Sequence, residues 1–491
     1  MSIIFYHVFL WFYKIGIRLV APWNRKAKEW LDGRKGIFER MRADLGGGLA
    51  ERGGKPSAAE GERGAATGVG AGVGAESAGA ATGAGAGGAA VSGRPVIWMH
   101  CSSLGEFEQG RPVIEALRRE APMARIVLTF FSPSGYRAKK DYEGADYIYY
   151  LPLDSPGNAR QFISLVRPTL VLWVKYDYWY YYLVELKKRA IPVLLVSGVF
   201  RADQPFFKWY GRLHRYMLEC MTHLFVQTEA SRVLLEGRGL KGQVSVSGDT
   251  RFDRVIEIAK GGAPLPLIES WCARYPVIVA GSTWEEDEEE LDHFANTHPE
   301  VRFILAPHEI SEDRLVEVER LFRHCVRYSV WAASAKASAA EGRGGEGRGA
   351  AGAGRAGSGT GSRPGWPEPN VLIIDNIGML SRLYRYATIA YVGGGFGDDG
   401  VHNVLEAAVY GKPVVFGPVI EKYIEAVELT ESGGGIVIDS ALEAEGVFER
   451  LLRDPAEARE IGEASARYVD SKKGATAQIV RYIQEKRLLT S

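Results

Sequence analysis

The stretch at residues 389–418, IAYVGGGFGDDGVHNVLEAAVYGKPVVFGP, is typical of a strand, a glycine loop, a helix and a second strand in succession. The apolar run 389–392 ends in three glycines, which is the pattern of a buried strand that enters a tight loop. A helix is predicted over 402–410, because the stop signals Gly411 and Pro413 follow it. A second short apolar run predicts the next strand. Strands that alternate with helices in this way indicate a parallel α/β sheet.

Polar residues in this stretch predict a binding site for a phosphate or a carboxylate. Glycines let the main chain approach a ligand, and a helix start offers free N–H groups with a partial positive charge. The residues predicted to bind the ligand are Gly394, Gly395, His402 and Asn403. Glu406 lies one turn further along, where its carboxylate would accept hydrogen bonds from a sugar diol. The alternative is a glycine-rich turn with a buried histidine, since the spacing matches neither the dinucleotide fingerprint nor the P-loop.

Length and composition narrow the class of protein. The 491 residues predict two or more domains, and 46% hydrophobic residues allow large cores. The formal net charge of zero gives no support for a nucleic-acid partner. The four cysteines form no CxxC pair, so neither a zinc site nor a disulfide framework is indicated. A reducing, cytosolic setting is therefore expected.

The N-terminal residues 1–22 are rich in apolar and aromatic side chains, interrupted by Lys14 and Arg18. No cleavage site follows, so a removed signal peptide is not expected. The length approaches that of a membrane span, whereas the charges fit an amphipathic interfacial anchor equally well. A helix packed on the body of the protein is the third alternative. Basic residues follow within 25–35, which predicts that the rest of the chain faces the cytoplasm.

Two segments, 46–93 and 333–364, consist almost wholly of Gly, Ala, Ser and a few charged residues. Such segments bury too little apolar surface to offset the entropy lost on ordering, so both are expected to be disordered insertions.

Elsewhere, apolar runs and helical patterns alternate, pause at 261–266 and then restart. This order predicts two consecutive α/β domains of Rossmann type, each a parallel sheet with helices on both faces. The predicted divisions are a membrane-associated helix over 1–30, a first domain over 94–260, a second over 267–440 and C-terminal helices over 441–491.

Glu106 is the strongest catalytic candidate in the first half. The predicted strand 96–99 is followed by HCSSLGE at 100–106, and ligands of such sheets bind beyond the carboxyl ends of the strands. A carboxylate there could act as a general base, and Gly105 would let a substrate approach. Ser103 and Glu106 also have the spacing of a capping box, so a purely structural role for Glu106 is the alternative.

Further loops in the second half are predicted to reach the same edge as the glycine loop. Ser282 and Thr283 follow the predicted strand 277–280, and His308 follows the strand 302–305. The hydroxyls are anion ligands or a helix N-cap. Because several loops with donor groups converge on one sheet edge, a nucleotide-binding site is the favoured interpretation.

Five motifs occur in the order in which they occur in the 3-deoxy-D-manno-octulosonic acid (Kdo) transferases, which build the inner core of lipopolysaccharide. They are HCSSLGE (100–106), KYDYW (175–179), GDTRFD (248–253), GST-x-x-x-E (281–287 region) and VGGGF…GVHNVLEAAVYGKPVVFGP (392–418). The chain resembles this family over roughly 94–332 and 365–487, and its N-terminal segment is also similar.

The resemblance implies a GT-B fold, with two Rossmann-like domains facing across a cleft and an N-terminal membrane-anchoring helix. It implies CMP-Kdo as donor, a lipid A precursor as acceptor, and inverting transfer without a cofactor or an essential metal, at the cytoplasmic face of the inner membrane. By this resemblance Glu106 is the catalytic base. The donor contacts it implies are Ser282, Thr283, His308, Gly394, Gly395, His402, Asn403 and Glu406. Acceptor contacts are expected at Ser103, Gly105, Lys175, Asp177 and Arg201.

The chain departs from the family pattern at two places. Lys175 and Asp177 stand where many members have two acidic residues, and His308 stands alone where many have Arg-His. Fold does not determine function. The alternatives are therefore a GT-B glycosyltransferase or an epimerase that uses another nucleotide sugar, and a membrane-tethered sugar-nucleotide binder without catalysis.

Overall fold

The computed structural model describes residues 3–46, 94–175, 177–343 and 368–490. Two structural units are present. The first comprises Met1–Val246 with Ile479–Ser491, and the second comprises Ser247–Gln478. The predicted insertion at 46–93 lies outside the described residues apart from its first residue, and so does the part of the second insertion after residue 343.

The first unit is built on a parallel sheet that has seven strands within the described residues, in the order β3-β2-β1-β4-β5-β6-β7. The strands are β1 Val96–Cys101, β2 Arg125–Phe130, β3 Tyr147–Tyr150, β4 Leu170–Val174, β5 Val193–Gly198, β6 His223–Val226 and β7 Val244–Val246. Its helices are α1 Ile3–Val20, α2 Arg25–Asp32, α3 Ile37–Gly46, α4 Leu104–Glu120, α5 Pro133–Lys139, α6 Pro156–Val166, α7 Tyr180–Lys188, α8 Arg212–Leu218 and α9 Glu229–Glu236.

The second unit repeats this plan, with seven described strands in the order β10-β11-β9-β8-β12-β13-β14, again parallel. The strands are β8 Val277–Thr283, β9 Arg302–Pro307, β10 Cys325–Arg327, β11 Val371–Ile373, β12 Ile389–Val392, β13 Val414–Phe416 and β14 Gly435–Val437. Its helices are α10 Thr250–Gly261, α11 Pro266–Cys272, α12 Glu285–Thr297, α13 Glu312–Leu321, α14 Tyr328–Arg343, α15 Leu380–Leu383, α16 Leu405–Ala408, α17 Ile424–Glu431, α18 Ala441–Arg453, α19 Pro455–Ser471 and α20 Ala475–Glu485, the last of which continues into the first unit from Ile479.

Both faces of each sheet are buried, which explains why the strands appear in the sequence as continuous apolar runs. In β1, Trp98 belongs to one hydrophobic cluster, while its neighbour Met99 belongs to the cluster on the opposite face. Val279 and Ile278 of β8 divide in the same way in the second unit. The predicted fold class, two Rossmann-like α/β domains of GT-B type, is confirmed.

The units divide at different places from the predicted boundaries. The break lies at 246/247 instead of 261–266, because Phe252 and Val255 of α10 are buried in the core of the second unit. The C-terminal helices do not form a separate region either. Phe448 of α18 packs in the core of the second unit, whereas Ile483 of α20 packs in that of the first.

Two local predictions are also wrong. Residues 333–343 were expected to be part of a disordered insertion, but they continue helix α14, which starts at Tyr328. The helix predicted over 402–410 is the four-residue α16. It starts late because the main-chain N–H of His402 donates to the carbonyl of Gly393 (3.0 Å), which keeps the chain next to the glycine loop.

The N-terminal helix α1 is long and apolar enough to cross a membrane, by length and composition. In this structure it contacts the first unit through one stripe of side chains. Tyr6 and Leu10 are buried against Leu213 of α8, and most of the remaining helix surface is exposed.

Candidate active site

The first candidate site lies where the order of strands in the first sheet reverses. From β1 the chain proceeds outward to β2 and β3, and then returns to place β4 on the other side of β1. The carboxyl ends of β1 and β4 therefore flank the topological switch point, which is where ligands bind in open α/β sheets. Glu106 follows β1, while Lys175 and Asp177 follow β4.

Ser102 holds Glu106 and Asp177 together. Its main-chain N–H donates to the Glu106 carboxylate, and its hydroxyl donates to the Asp177 carboxylate. Glu106 is buried, with only 8% of the residue exposed, and Asp177 is half-buried. Two acidic side chains thus lie on either side of one serine at the switch point.

This environment changes how Glu106 ionises. The pKa of Glu106 is raised to about 7, chiefly by burial and secondly by the negative charge of Asp177. The N–H groups of Ser102 and Ser103 and the charge of Lys175 lower that pKa, but they do not cancel the burial. Burial also raises the pKa of Asp177, against the effect of the Ser102 hydroxyl. A carboxyl whose pKa lies near neutrality is suited to accept a proton at physiological pH.

The capping interpretation of Glu106 is compatible with this chemistry. The hydroxyl of Ser103 accepts the main-chain N–H of Glu106 at 3.4 Å, so Ser103 is the N-cap of α4. The cap orients the first turn of the helix and with it the Glu106 side chain. Next to it, a Cβ added to Gly105 would meet no atom within 4 Å, so packing does not require a glycine there and the space beside it is open.

Of the predicted acceptor residues, the structure brings Ser103, Gly105, Lys175 and Asp177 to the vicinity of Glu106. Lys175 adopts a left-handed conformation (φ 53°), which turns the chain sharply after β4. Arg201 is exposed beyond the end of β5, and in the described part of the chain no contact joins it to Glu106 or Asp177. It therefore stays outside this cluster.

The second candidate site occupies the corresponding switch point of the second sheet, between β8 and β12. Asp287 on α12 joins the two loops there. Its carboxylate accepts the main-chain N–H of Trp284 (2.9 Å), the N–H of Gly394 (2.7 Å) and the hydroxyl of Tyr391 (2.8 Å). The sequence alone shows only an acidic position in the 281–287 motif, because two of the partners of Asp287, Tyr391 and Gly394, lie about a hundred residues away in the chain.

The two predicted hydroxyl ligands after β8 have different environments. Thr283 is buried and donates to Glu288 at 2.8 Å, and Arg314 pairs with that same carboxylate. The Thr283 hydroxyl therefore supports the loop from within. Ser282 is partly exposed and adopts a left-handed conformation (φ 56°), which is costly for a residue with a Cβ and is found preferentially at functional sites.

Three aromatic rings are stacked beside this loop. The ring centroids of Trp284 and His308 are 4.4 Å apart, and those of His308 and His402 are 4.6 Å apart. The indole N–H of Trp284 donates to Nε2 of His402 at 2.9 Å. An indole nitrogen can only donate, so His402 carries its own proton on Nδ1. Sequence analysis missed Trp284, since nothing in its spacing indicates a partner 118 residues away.

His402 is held as a neutral donor by its surroundings. Burial lowers the pKa of His402 to about 4, and the charge of His308 acts in the same direction. Gly394 has a positive φ (91°), and a Cβ at this position would come within 2.9 Å of the His402 ring. Glycine is therefore needed at 394 both for conformation and for space.

The remaining predicted donor contacts in this stretch are Gly395, Asn403 and Glu406. Gly395 packs against the main chain of Gly417, since an added Cβ would lie 2.6 Å from its nitrogen. The amide of Asn403 donates to Glu406 at 3.0 Å. Within the described residues the Oδ1 of Asn403 is buried and accepts no hydrogen bond, which leaves an acceptor for a ligand. The predicted anion site at a helix start is not formed, because α16 has only four residues and begins after Asn403.

Comparison with known proteins agrees with the motifs. A model of the family described as "3-Deoxy-D-manno-octulosonic-acid transferase (kdotransferase)" matches residues 76–254. The chain is 27% identical over 404 residues to the 3-deoxy-D-manno-octulosonic acid transferase of Bordetella pertussis, covering 79% of this chain and 87% of the relative. It is 25% identical to the enzyme of the same name from Aquifex aeolicus, covering 72% and 86%. A Kdo transferase family model thus matches part of the chain, and homologues named Kdo transferases cover most of it at modest identity.

The chain is a glycosyltransferase, since its homologues are named Kdo transferases, which are glycosyltransferases. Its structure is also similar to that of the UDP-GlcNAc 2-epimerase from Neisseria meningitidis, with a TM-score of 0.53 at 16% identity over 80% of this chain and all of that one. At this identity the likeness shows the fold alone. In the part of the chain described here, no group of three or more His, Cys, Asp or Glu side chains is placed to hold a metal ion.

Proposed function

We propose that this chain transfers Kdo from CMP-Kdo to a lipid A precursor by inverting single displacement, with Glu106 as the general base. The observation that carries the proposal is the buried Glu106 carboxyl at the switch point of the first sheet, whose pKa is raised to about 7. Similarity to the Kdo transferases supports the sugar, and the motif resemblance supports the donor nucleotide and the acceptor.

In this reaction the carboxylate of Glu106 takes the proton of an acceptor hydroxyl while that oxygen attacks the anomeric carbon of Kdo. The bond between the anomeric carbon and the phosphate oxygen breaks, and CMP leaves with the electron pair. A positioned base of this kind typically contributes about 10²–10⁴ in rate. Asp177 keeps the pKa of Glu106 high, so that the carboxylate is basic enough to take the proton.

The second unit supplies the contacts to the donor. The Nδ1–H of His402 is the donor group offered to an anionic oxygen of CMP-Kdo, because its Nε2 accepts from Trp284. Ser282, His308 and the main chain at Gly395 complete the anion contacts, while Gly394, whose N–H donates to Asp287, gives the loop its conformation and leaves space for the His402 ring. Glu406, oriented by Asn403, would hold the ribose diol. Hydrogen bonds to the charge that develops on the leaving phosphate lower the barrier.

The proposal includes no cofactor and no essential metal, as the family resemblance implies. It places the acceptor lipid at the inner membrane, with the protein attached through α1 from the cytoplasmic side. The exposed apolar surface of α1 supports this attachment. Addition of excess EDTA should leave turnover within about twofold, and a loss restored by a divalent cation would overturn the metal-independent part of the proposal.

The deciding experiment combines purified full-length protein, vesicles that contain tetraacyl lipid A precursor, and CMP-Kdo. We expect release of CMP together with a lipid product whose mass has increased by Kdo. CMP-Kdo binding without product would favour a non-catalytic binder. Turnover only with another nucleotide sugar would overturn the assignment of the donor.

A further inference from the structure

Helix α1 contacts the first unit along most of its length. The contacting residues recur at helical spacing: Tyr6, Leu10, Tyr13 and Ile17 are buried or half-buried, and Ala21 continues the stripe just beyond the helix. From Tyr6 to Ala21 the stripe covers 15 residue-to-residue steps, which corresponds to about 22 Å of helix at 1.5 Å per residue. One side of α1 is thus occupied by protein from near its start to its end.

The contact near the start of the stripe is polar and specific. The hydroxyl of Tyr6 donates to the buried carboxylate of Asp154 at 2.6 Å. The same carboxylate accepts the main-chain N–H groups of Tyr181 (2.9 Å) and Tyr182 (3.2 Å), which begin α7. Detachment of α1 would take away one of three donors from a buried carboxylate, which is costly. Near the middle, the Tyr13 ring lies 5.8 Å from Trp30 and 6.1 Å from Phe131.

The opposite side of α1 is apolar and exposed. Residues on this side include Phe5, Phe9, Phe12 and Leu19, each more than half exposed. Lys14 and Arg18 lie among them. An apolar surface of this extent, bordered by basic side chains, marks a surface that binds a membrane or a partner.

A second exposed aromatic side chain lies in the loop before α8, the helix that contacts α1 through Leu213. Trp209 is 91% exposed, between the basic residues Lys208 and Arg212. Its loop is not loosely held: the guanidinium of Arg215 donates to the carbonyl of Lys208 at 2.8 Å. The loop leads directly into α8, whose Leu213 packs against Tyr6 and Leu10 of α1. A firmly held tryptophan with basic neighbours is suited to the headgroup level of a bilayer.

We infer that α1 lies in the plane of an anionic bilayer surface and does not cross the bilayer, and that Trp209 is a second insertion point. This inference rests on the membrane association proposed above. A spanning α1 would carry residues 6–21 into hydrocarbon, together with the protein that contacts them, including the buried Asp154 carboxylate. The in-plane orientation keeps these contacts and places the exposed apolar side in the acyl boundary. The basic side chains then face the anionic headgroups.

The orientation is tested by protease access to the N-terminus. A short tag with a protease site is placed before Met1, and the same site is placed after Ser491 in a matched protein. Membrane vesicles are prepared from expressing cells so that the body of the protein lies on the outside of the vesicle. Cleavage at the C-terminal site verifies this orientation. We expect the N-terminal site to be cleaved equally fast without detergent. Protection of the N-terminal site until detergent is added would show a span and overturn the inference.

The insertion point is tested with full-length protein and vesicles of phosphatidylcholine and phosphatidylglycerol. Trp209→Ser should weaken binding by about fivefold or more, whereas Val233→Ser, which changes an exposed apolar residue elsewhere in the first unit, should change it less than twofold. Unchanged binding of the Trp209 variant would overturn the second insertion point. Wild-type protein that does not bind these vesicles at all would instead contradict the proposed membrane association itself.

Discussion

Glu106 and Asp177 are bound to one residue, because Ser102 donates its main-chain N–H to the first carboxylate and its hydroxyl to the second. Glu106 follows β1 and Asp177 follows β4, and the two strands are neighbours in the sheet although they are not consecutive in the chain. The arrangement makes Glu106 the group on which the proposed chemistry depends.

The first prediction concerns turnover. Glu106→Gln keeps a side chain that accepts the Ser102 N–H, but an amide is not basic at neutral pH. We expect normal folding, unchanged CMP-Kdo binding and a loss of about 10²-fold or more in kcat. Glu108→Gln, on the same helix, is the matched control and should keep kcat within about threefold. Near wild-type turnover in the Glu106 variant would leave only the capping role.

The same variant should change stability in a pH-dependent way. Since the pKa of Glu106 is raised to about 7 in the folded protein, its stabilising contribution is present in acid and is lost as pH rises through the folded pKa. Glu106→Gln does not ionise, so its melting temperature should match that of the wild type near about pH 4, below the unfolded pKa, and exceed it near about pH 8, above the folded pKa. Thermal unfolding at both pH values measures this, and a constant difference would contradict the raised pKa.

Asp177→Asn tests the coupling between the two carboxyl groups. The negative charge of Asp177 raises the pKa of Glu106, so its removal should lower that pKa. The acidic limb of the kcat/KM profile should therefore move to lower pH, while the Asn side chain still accepts from the Ser102 hydroxyl. Asp203→Asn, in a loop after β5, is a control that should leave the limb in place. An unmoved limb in the Asp177 variant would show that Glu106 does not determine it.

Trp284→Phe tests how His402 is held. Phenylalanine keeps an aromatic ring in the stack but has no N–H, so the Nδ1–H tautomer of His402 is no longer selected. We expect ¹⁵N NMR to show a change in the His402 tautomer and the Kd for CMP-Kdo to rise by about tenfold. Trp271→Phe makes the same change elsewhere in the second unit and should leave both readouts unchanged. An unaltered His402 spectrum would rule out the positioning role of Trp284.

Glu406→Ala addresses the proposed ribose contact. The ribose does not change in the reaction, so this contact contributes equally to ground state and transition state. We expect the KM for CMP-Kdo to rise while kcat at saturating donor changes little. Glu421→Ala, an exposed acidic residue of the same unit, provides the comparison. An unchanged KM would exclude the ribose role.

Much of the fold could be predicted from local patterns in the amino-acid sequence. Strand β12 has the bounds predicted from its apolar run, 389–392, and strands β1, β8 and β9 begin at the predicted residues 96, 277 and 302. Local patterns failed where tertiary contacts outweigh them. The helix expected at His402 starts later because Gly393 holds the main chain, and α14 continues through a low-complexity sequence beyond its first turns.

The sequence by itself determined the fold class, the resemblance to the Kdo transferases and the loops that carry the candidate residues, because apolar periodicity and ordered motifs are properties of the chain alone. Tertiary structure decided which residues meet. The pairing of Glu106 with Asp177, the hydrogen bond from Trp284 to His402 and the attachment of α1 through Tyr6 to Asp154 join residues far apart in the chain. The first two arise from the order of strands in each sheet, which places the ends of non-consecutive strands side by side, and the third arises from the packing of α1 on the rest of the first unit. No local spacing reveals these contacts.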